Sequence, residues 1–264
     1  DVCSSDLELI DTHTHLFLSQ FDNDIDNVIQ NAISNGVTKM LLPNIDSTTT
    51  NQMLKLSERY PKHCFPMIGL HPCSVNTGNA EKEIIHVEKM LKENKFLAIG
   101  EIGLDLYWDK STLDIQKQVF ELQINLAKKH NLPIVIHVRD SFKEAIEIVE
   151  KLNDDNLSGV FHCFTGNLEE AQRVINLQNF YLGIGGVVTF KNGGLDKIIN
   201  QINLDHIILE TDSPYLTPSP FRGNRNESKY ILNITQRLSE IYNIDIESIA
   251  EKTTHNAYKL FNIS

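Results

Sequence analysis

The chain has 264 residues, of which 41% are apolar, and this is enough for one sizeable hydrophobic core but not for two domains. Its 24 basic and 35 acidic residues give a net charge of −11, so attraction of the whole molecule to a nucleic acid is not expected. No run approaches the roughly 18 apolar residues of a membrane span, and no charged-then-apolar leader opens the sequence. The four scattered cysteines form no Cys-x-x-Cys pair, which favours a reduced cytoplasmic location.

Strand-like and helix-like stretches alternate along the chain. The predicted strands are Leu7–Thr12, Val37–Leu42, Phe65–Leu70, a fourth with the apolar run Phe96–Ile99 as its first half and Glu101 at its end, Pro133–His137, Gly159–Cys163, Phe180–Ile184 and His206–Glu210. The predicted helices are Asp24–Asn35, Ser47–Arg59, Ala80–Glu93, Leu113–His130, Ser141–Leu152, Leu168–Leu177, Leu195–Ile202, Lys229–Ile241 and Ile246–Thr254. This alternation predicts an α/β fold, a (β/α)8 TIM barrel with an additional C-terminal helix, as one domain over residues 1–264. An open doubly wound sheet would need a Gly-rich phosphate turn after the first strand, and the sequence has none there.

Histidines stand at the ends of three predicted strands. The first strand leads into Asp11-Thr-His-Thr-His15, where His13 and His15 share a face because side chains two apart on a strand point the same way. The fifth and sixth strands end near His137 and His162, at the carboxyl ends where barrel enzymes carry their active sites. A single histidine of this kind is more often a hydrogen-bonded core residue. Four of them at one barrel rim indicate metal ligands.

Two carboxylates complete this set. Glu101 follows the fourth apolar run and is flanked by Gly100 and Gly103, which let the backbone pack closely and turn. Asp212 follows the eighth strand, with Glu210 deeper and supporting the ligands by hydrogen bonds. Six imidazole and carboxylate ligands are too many for one open catalytic ion, so they predict two divalent ions, Zn, Mg or Mn, bridged by Glu101.

Further polar residues follow the predicted strands and are candidates for substrate contacts. His71 comes after the third strand and is expected at the same rim. Because the molecule is acidic, phosphates would have to be held locally by the ions and by a few basic side chains. Arg222 is the first candidate, and Arg139, Lys191 and Arg225 also follow predicted strands.

The sequence resembles the TatD family of metal-dependent nucleases, which belong to the amidohydrolase-like metallo-barrels. The motifs that carry the resemblance run in order over nearly the whole chain: Asp11-Thr-His-Thr-His15, Gly69-Leu-His-Pro72, Gly100-Glu-Ile-Gly-Leu-Asp105, Ile136-His-Val-Arg-Asp140, Phe161-His-Cys-Phe-Thr-Gly166, Glu210-Thr-Asp-Ser-Pro-Tyr-Leu216 and Arg222-Gly-Asn-Arg-Asn226. The resemblance implies one ion on His13, His15, Glu101 and Asp212, and a second on Glu101, His137 and His162. In relatives that hydrolyse amides or phosphotriesters, a carbamylated lysine commonly takes the place that Glu101 holds here.

The expected activity is hydrolysis of a phosphodiester, and the resemblance implies a DNase or 3′–5′ exonuclease. Water activated by the ions would attack phosphorus, with Asp212 as the proton acceptor and Glu101 as the shared ligand. Arg222, with His71 and Lys191, would help to neutralise the charge of the transition state. The expected partner is therefore DNA, or RNA or tRNA, with no membrane and with the protein as a monomer. The alternatives are D-aminoacyl-tRNA deacylation or other ester or amide hydrolysis on the same ions, and a metal-stabilised binding module without turnover.

Overall fold

A computed structural model describes residues 7–263 of the chain; residues 1–6, which include Cys3, and residue 264 lie outside it. The strands are β1 Leu9–Asp11, β2 Val37–Pro43, β3 Cys64–Met67, β4 Ile99–Asp105, β5 Ile134–Arg139, β6 Gly159–Phe161, β7 Phe180–Ile184 and β8 Ile207–Leu209. The α-helices are α1 Ile25–Ser34, α2 Thr50–Arg59, α3 Ala80–Glu93, α4 Leu113–His130, α5 Phe142–Leu152, α6 Leu168–Ile175, α7 Leu195–Ile199, α8 Ile231–Tyr242 and α9 Ile246–Phe261. Within residues 7–263, no helix is both long enough and apolar enough to cross a bilayer.

The strands are parallel throughout and follow one another in chain order. One sheet has the order β1-β2-β3 and the other the order β4-β5-β6-β7-β8. Backbone hydrogen bonds join the two sheets at both edges: the Gly100 amide donates to the Ile68 carbonyl beside β4, and the Thr12 amide donates to the Leu209 carbonyl between β1 and β8. Helices follow the strands as crossovers, as parallel pairing requires. The predicted (β/α)8 arrangement is therefore confirmed.

The additional C-terminal helix supports the layer of side chains below the barrel rim. Val135 and Val160 precede His137 and His162 by two positions, so they point to the same face one layer deeper. They belong to a buried apolar cluster that takes in residues of all eight strand regions and Leu260 of α9. The sequence pattern ended this helix at Thr254. It continues to Phe261 because Ala257, Leu260 and Phe261 at its end are buried in the same cluster.

The fourth strand is longer than its apolar run suggested. The prediction placed Glu101 at the end of the strand and expected the two glycines to allow close packing and a turn, whereas β4 continues through both glycines to Asp105. The glycines allow close packing against β5: a Cβ atom at Gly100 would lie 2.6 Å from Cβ of Val135, and one at Gly103 would lie 2.1 Å from the carbonyl oxygen of His137. Gly103 also has a φ of +138°, which side chains rarely adopt. Both glycines therefore fix the approach of the strand that carries Glu101.

The substitution Gly103→Ala tests this packing. We expect it to lower the free energy of unfolding by at least about 2 kcal/mol, because it adds backbone strain to a clash with β5. Gly185→Ala is the matched control, since Gly185 lies at the same rim, has a φ of −112°, and a Cβ atom there would meet its nearest neighbour at 3.6 Å. Urea unfolding of both variants measures the difference. Equal stability of the two variants would contradict this role of Gly103.

Candidate metal centre

Three of the predicted ligands, His13, His15 and Asp212, lie together on the side of one oxygen of Glu101. Glu101 is buried, and its Oε2 atom lies 3.2 Å from Nε2 of His13 and 3.5 Å from Nε2 of His15. These two imidazole nitrogens are 3.3 Å apart. Asp212 Oδ1 lies 3.7 Å from the His13 nitrogen and 3.6 Å from the His15 nitrogen. Side chains that follow β1 and β8, together with Glu101 within β4, thus point their donor atoms at one small volume.

The other oxygen of Glu101 faces a second group of histidines. Its Oε1 atom lies 2.7 Å from Nδ1 of His137, 3.2 Å from Nε2 of His71 and 3.3 Å from Nε2 of His162. His71 was expected to contact substrate, yet the structure places it as close to Glu101 as the predicted ligands. One carboxylate therefore has a separate set of imidazoles at each of its two oxygens.

The charges at the centre compensate one another. Burial alone would raise the pKa of Glu101, but the neighbouring histidines, His71 and His13 foremost, hold it well below its usual range. Burial opposes a charge on His15, but its contacts with Asp212 and Glu101 raise its pKa to about 9. Burial would also raise the pKa of Asp212, and the contact with His15 instead lowers it. The carboxylates of the centre are therefore ionised at neutral pH.

Glu210 supports the second histidine group, as the sequence predicted. Its Oε1 atom accepts the Cys163 amide proton at 2.6 Å and lies 3.0 Å from Nδ1 of His162. Burial would lower the pKa of His162, but the negative charges of Glu210 and then Glu101 raise it well above its usual value. This contact leaves Nε2 of His162 directed at Glu101, so Glu210 fixes which nitrogen faces the centre.

Asp11 accepts hydrogen bonds from the segments that carry His13 and Asp212. Its carboxylate accepts hydrogen bonds from the Thr211 amide at 2.9 Å and the Thr211 hydroxyl at 2.6 Å, and a longer one from the His13 amide at 3.4 Å. It thereby ties the end of β1 to the segment that leads to Asp212. Burial raises the pKa of Asp11 to about 7 despite these hydrogen bonds. Asp11 therefore orients the backbone of the site without joining the cluster of donor atoms.

The residues present fit divalent cations. Three groups of donor atoms each lie within 4.8 Å of one another: His13 with Glu101 and His162, His13 with His15 and Asp212, and His71 with Glu101 and His137. Nε2 of His13 and Nε2 of His15 face each other, while the Nδ1 atoms of both rings are buried and have no hydrogen-bond partner. A cation between the two Nε2 atoms would accept a lone pair from each ring, and mixed imidazole and carboxylate donors suit zinc or manganese.

The centre opens into a cavity of about 720 Å³, within the size range of small-ligand sites. Of the four basic candidates, Arg139 lines this cavity. Arg222 is exposed, its guanidinium lies 3.8 Å from the centre of the Phe190 ring, and it is not among the cavity-lining residues in the part of the chain that the structure describes. Arg225 is held in a bidentate contact with Asp24, at 2.8 and 2.7 Å, so it has a structural role.

The sequence analysis missed the role of Asp105. Its Oδ2 atom lies 2.8 Å from Nε2 of His137, whose Nδ1 faces Glu101. Burial would raise the pKa of Asp105, but the contact with His137 lowers it to about 2. A signal was available, because Asp105 lies four positions after Glu101 and such spacing keeps two side chains on one face of a strand. The prediction ended the strand at Glu101, so Asp105 was not considered as part of it.

Comparison with known proteins places the chain in a family. The model of the family described as TatD related DNase matches residues 10–262. The uncharacterized metal-dependent hydrolase YabD of Bacillus subtilis is 40% identical over 257 residues, which cover 97% of this chain and 100% of YabD. The 3′–5′ ssDNA/RNA exonuclease TatD of Escherichia fergusonii is 32% identical, covering 97% of this chain and 100% of that protein. The crystal structure of YjjV, a TatD homologue from Escherichia coli K12, superposes with a TM-score of 0.90 at 27% identity, with both chains fully covered. This chain therefore belongs to the TatD family of metal-dependent hydrolases.

The contact between Glu210 and His162 can be tested through metal binding. We expect Glu210→Gln to weaken the affinity for divalent metal by about 10- to 100-fold, since the charged partner that orients His162 is lost. Glu83→Gln is the control, because Glu83 is also buried but binds Ser47, at 2.9 and 2.7 Å, outside the centre. Competition with a coloured chelator measures the affinity. If both variants bind metal as the unaltered protein does, Glu210 has no such role.

Proposed function

We propose that this member of the TatD family hydrolyses phosphodiester bonds of DNA, as a DNase or 3′–5′ exonuclease, with two divalent ions held around Glu101. The observation that carries the proposal is the division of the Glu101 carboxylate, whose Oε2 faces His13 and His15 and whose Oε1 faces His137 and His162. A shared carboxylate between two donor sets is what a pair of ions needs. The exonuclease name of the Escherichia fergusonii relative, at 32% identity, supports the choice of substrate.

Each ion would have its own ligands besides Glu101. His13, His15 and Asp212, which form one group of donor atoms, would hold the first. His137 and His162, which both face Oε1 of Glu101, would hold the second, and His71 is close enough to the same oxygen to assist there. Zn, Mn or Mg are the candidate ions. When bound, such a pair supplies Lewis-acid activation of water and neutralises charge on the phosphate.

Asp212 is the proposed proton acceptor. It lines the cavity, and its side chain keeps 13% of its surface exposed, whereas that of Glu101 keeps 3%. The lowered pKa of Asp212, which its contact with His15 produces against the effect of burial, keeps it ionised at neutral pH. A carboxylate that is ionised and open to the cavity can take a proton from water as the phosphodiester is attacked. Glu101, enclosed by imidazoles, is suited to holding the ions.

Substrate phosphates would be held by short-range contacts. The molecule carries a net charge of −11, so a local cation has to act against an unfavourable overall field. Arg139 stands at the end of β5 on the cavity wall, and its guanidinium can bind a phosphate in a bidentate manner. Arg222, the first candidate from the sequence, lies against Phe190 in the loop region after β8 and remains the second candidate.

The proposed function is tested with end-labelled single- and double-stranded DNA in the presence of several divalent metals. We expect release of mononucleotides and a saturated content of two ions per chain. Asp212→Asn should keep much of the metal and lose activity by about 10²- to 10⁴-fold, because it removes the proton acceptor but keeps an oxygen ligand. Glu101→Ala should lose both metal and activity, because both ions share Glu101. Metal analysis and turnover are measured on the same preparations.

Three results would contradict the proposal. A saturated content of one ion per chain would contradict the proposal that two ions share the Glu101 carboxylate. Near-normal turnover of fully metallated Asp212→Asn would exclude Asp212 as the base. Release of free amino acid from D-aminoacyl-tRNA, without release of mononucleotides from DNA, would establish the ester hydrolase instead.

Two arginine substitutions separate the candidates for phosphate binding. We expect Arg139→Gln to raise KM for DNA by about tenfold, since one charge-assisted contact with phosphate contributes on the order of 1.4 kcal/mol. Arg222→Gln is expected to change KM less, because Arg222 is not among the described residues that line the cavity. Steady-state kinetics with both variants decide the order, and metal content should be unchanged in each. If Arg222→Gln raised KM more than Arg139→Gln, phosphate binding would be assigned to the loop after β8.

A further inference from the structure

Exposed aromatic and aliphatic side chains are concentrated at the mouth of the cavity. Within residues 7–263, seven large apolar side chains are exposed, and Trp108, Tyr215 and Leu216 among them line this one cavity. Trp108 is 73% exposed, the highest fraction of the seven. Tyr107, beside it, is 52% exposed. Burial of apolar surface is favourable, so the exposure of these side chains around an acidic and imidazole-rich site indicates that they contact a ligand.

Tyr107 and Trp108 form an ordered pair, which we call the aromatic rim. Their ring centres are 4.8 Å apart with the planes at 90°, an edge-to-face arrangement. The guanidinium of Arg139 lies 3.6 Å from the centre of the Tyr107 ring and 5.7 Å from that of Trp108. Stacking on Tyr107 covers one face of the guanidinium and leaves its hydrogen-bonding edge free for a phosphate.

The aromatic rim is anchored to the metal centre through Asp105. One carboxylate oxygen of Asp105 accepts the Tyr107 amide proton at 3.0 Å, and the other lies 2.8 Å from His137. Gln116 of α4 holds the backbone of Asp105 from both sides, accepting from its amide at 2.9 Å and donating to its carbonyl at 3.0 Å. The rim therefore has a fixed position relative to the histidines around Glu101, as a recognition element needs.

We propose that the aromatic rim is a stacking platform for a base of single-stranded nucleic acid, next to the phosphodiester at the metal centre. The inference rests on the proposed function, which supplies the phosphodiester. Base stacking on aromatic side chains accepts any base and requires no net positive charge, in keeping with the acidic molecule. Trp108 presents the exposed ring, and Arg139 stands beside it for the adjoining phosphate.

A single strand fits this platform better than a duplex. Within a duplex the faces of the bases are covered by their neighbours, whereas an unpaired strand can turn a base onto a protein ring. The loops after β4 and β8, which carry Trp108 and Tyr215, lie four strands apart in an eight-stranded order, so they border the cavity from opposite sides. A single-stranded nucleic acid that enters between these two loops would meet an apolar surface on each side before it reaches Asp212.

Trp108 is the single tryptophan of the chain, so its fluorescence reports directly on the aromatic rim. The metal-loaded protein is titrated with a short single-stranded oligonucleotide whose phosphorothioate linkages resist hydrolysis. The comparison ligands are the same backbone with abasic residues, which keeps the charge, and a duplex of the same length. We expect saturable quenching by the base-containing single strand, and weaker or no quenching by the other two ligands. Equal quenching by the abasic strand, or none by any ligand, would overturn the platform.

Kinetics on single-stranded DNA provide an independent measurement. We expect Trp108→Ala to raise KM by about 5- to 150-fold, the loss expected for one base stack, with kcat much less affected. Trp108→Phe, which keeps a stacking face, should retain most of the affinity. Leu122→Ala is the control, because Leu122 is an exposed apolar residue on α4 that does not line the cavity. An unchanged KM for Trp108→Ala would overturn the platform.

The two proposals fail in different ways. If the unaltered protein hydrolyses DNA but Trp108 shows neither base-dependent quenching nor an effect on KM, the platform is excluded and the nuclease function stands. If the protein hydrolyses no nucleic acid, the proposed function fails. The fluorescence titration then decides by itself whether the rim binds unpaired bases.

Discussion

The enclosure of the Glu101 carboxylate is the interaction on which the rest of the site depends. A buried carboxylate without compensating charge costs several kcal/mol, so its position is tolerable only with cationic or strongly polar neighbours. Here imidazoles approach both oxygens, from His13 on one side and from His137 on the other. These rings lie at the ends of different strands, and the barrel brings those strand ends together at one face. The fold and the charge balance of the centre therefore support each other.

The backbone of β4 makes that enclosure possible. Side chains at Gly100 or Gly103 would collide with β5, so glycine is what lets the two strands pair at their observed separation. The same pairing places Gly103 opposite His137, and thereby sets the distance from that ring to Glu101. Asp105, at the end of the strand, contacts Nε2 of His137 with one carboxylate oxygen. Its other oxygen accepts the Tyr107 amide proton and so holds the loop that follows β4. One strand thus positions Glu101, the carboxylate that contacts His137, and the start of the loop that carries Trp108.

The sequence predicted the elements well, because parallel strands leave apolar runs and the active ends of barrel strands can be recognised from the polar residues that follow them. The approach of the predicted ligands to Glu101 follows from the same rule. The extent of β4 could not be predicted, since glycines that serve close packing have the composition of a turn. The choice between Arg139 and Arg222 was equally out of reach. The predicted fifth strand ended at His137, whereas β5 runs on to Arg139, and Arg222 lies in an irregular segment where periodicity does not fix side-chain direction.

Net charge and local chemistry act in opposite directions here. Over distances beyond about 10 Å at moderate ionic strength, the charge of −11 is largely screened, so it slows the approach of a polyanion without preventing contact. Within contact range, the proposed function depends on the ions, on Arg139 and on the aromatic rim. Cations near phosphate act only once they are close, and stacking does not depend on net charge at all. An acidic protein can therefore process a nucleic acid strand if recognition is concentrated at the mouth of its cavity, where Trp108 and Arg139 stand beside the centre.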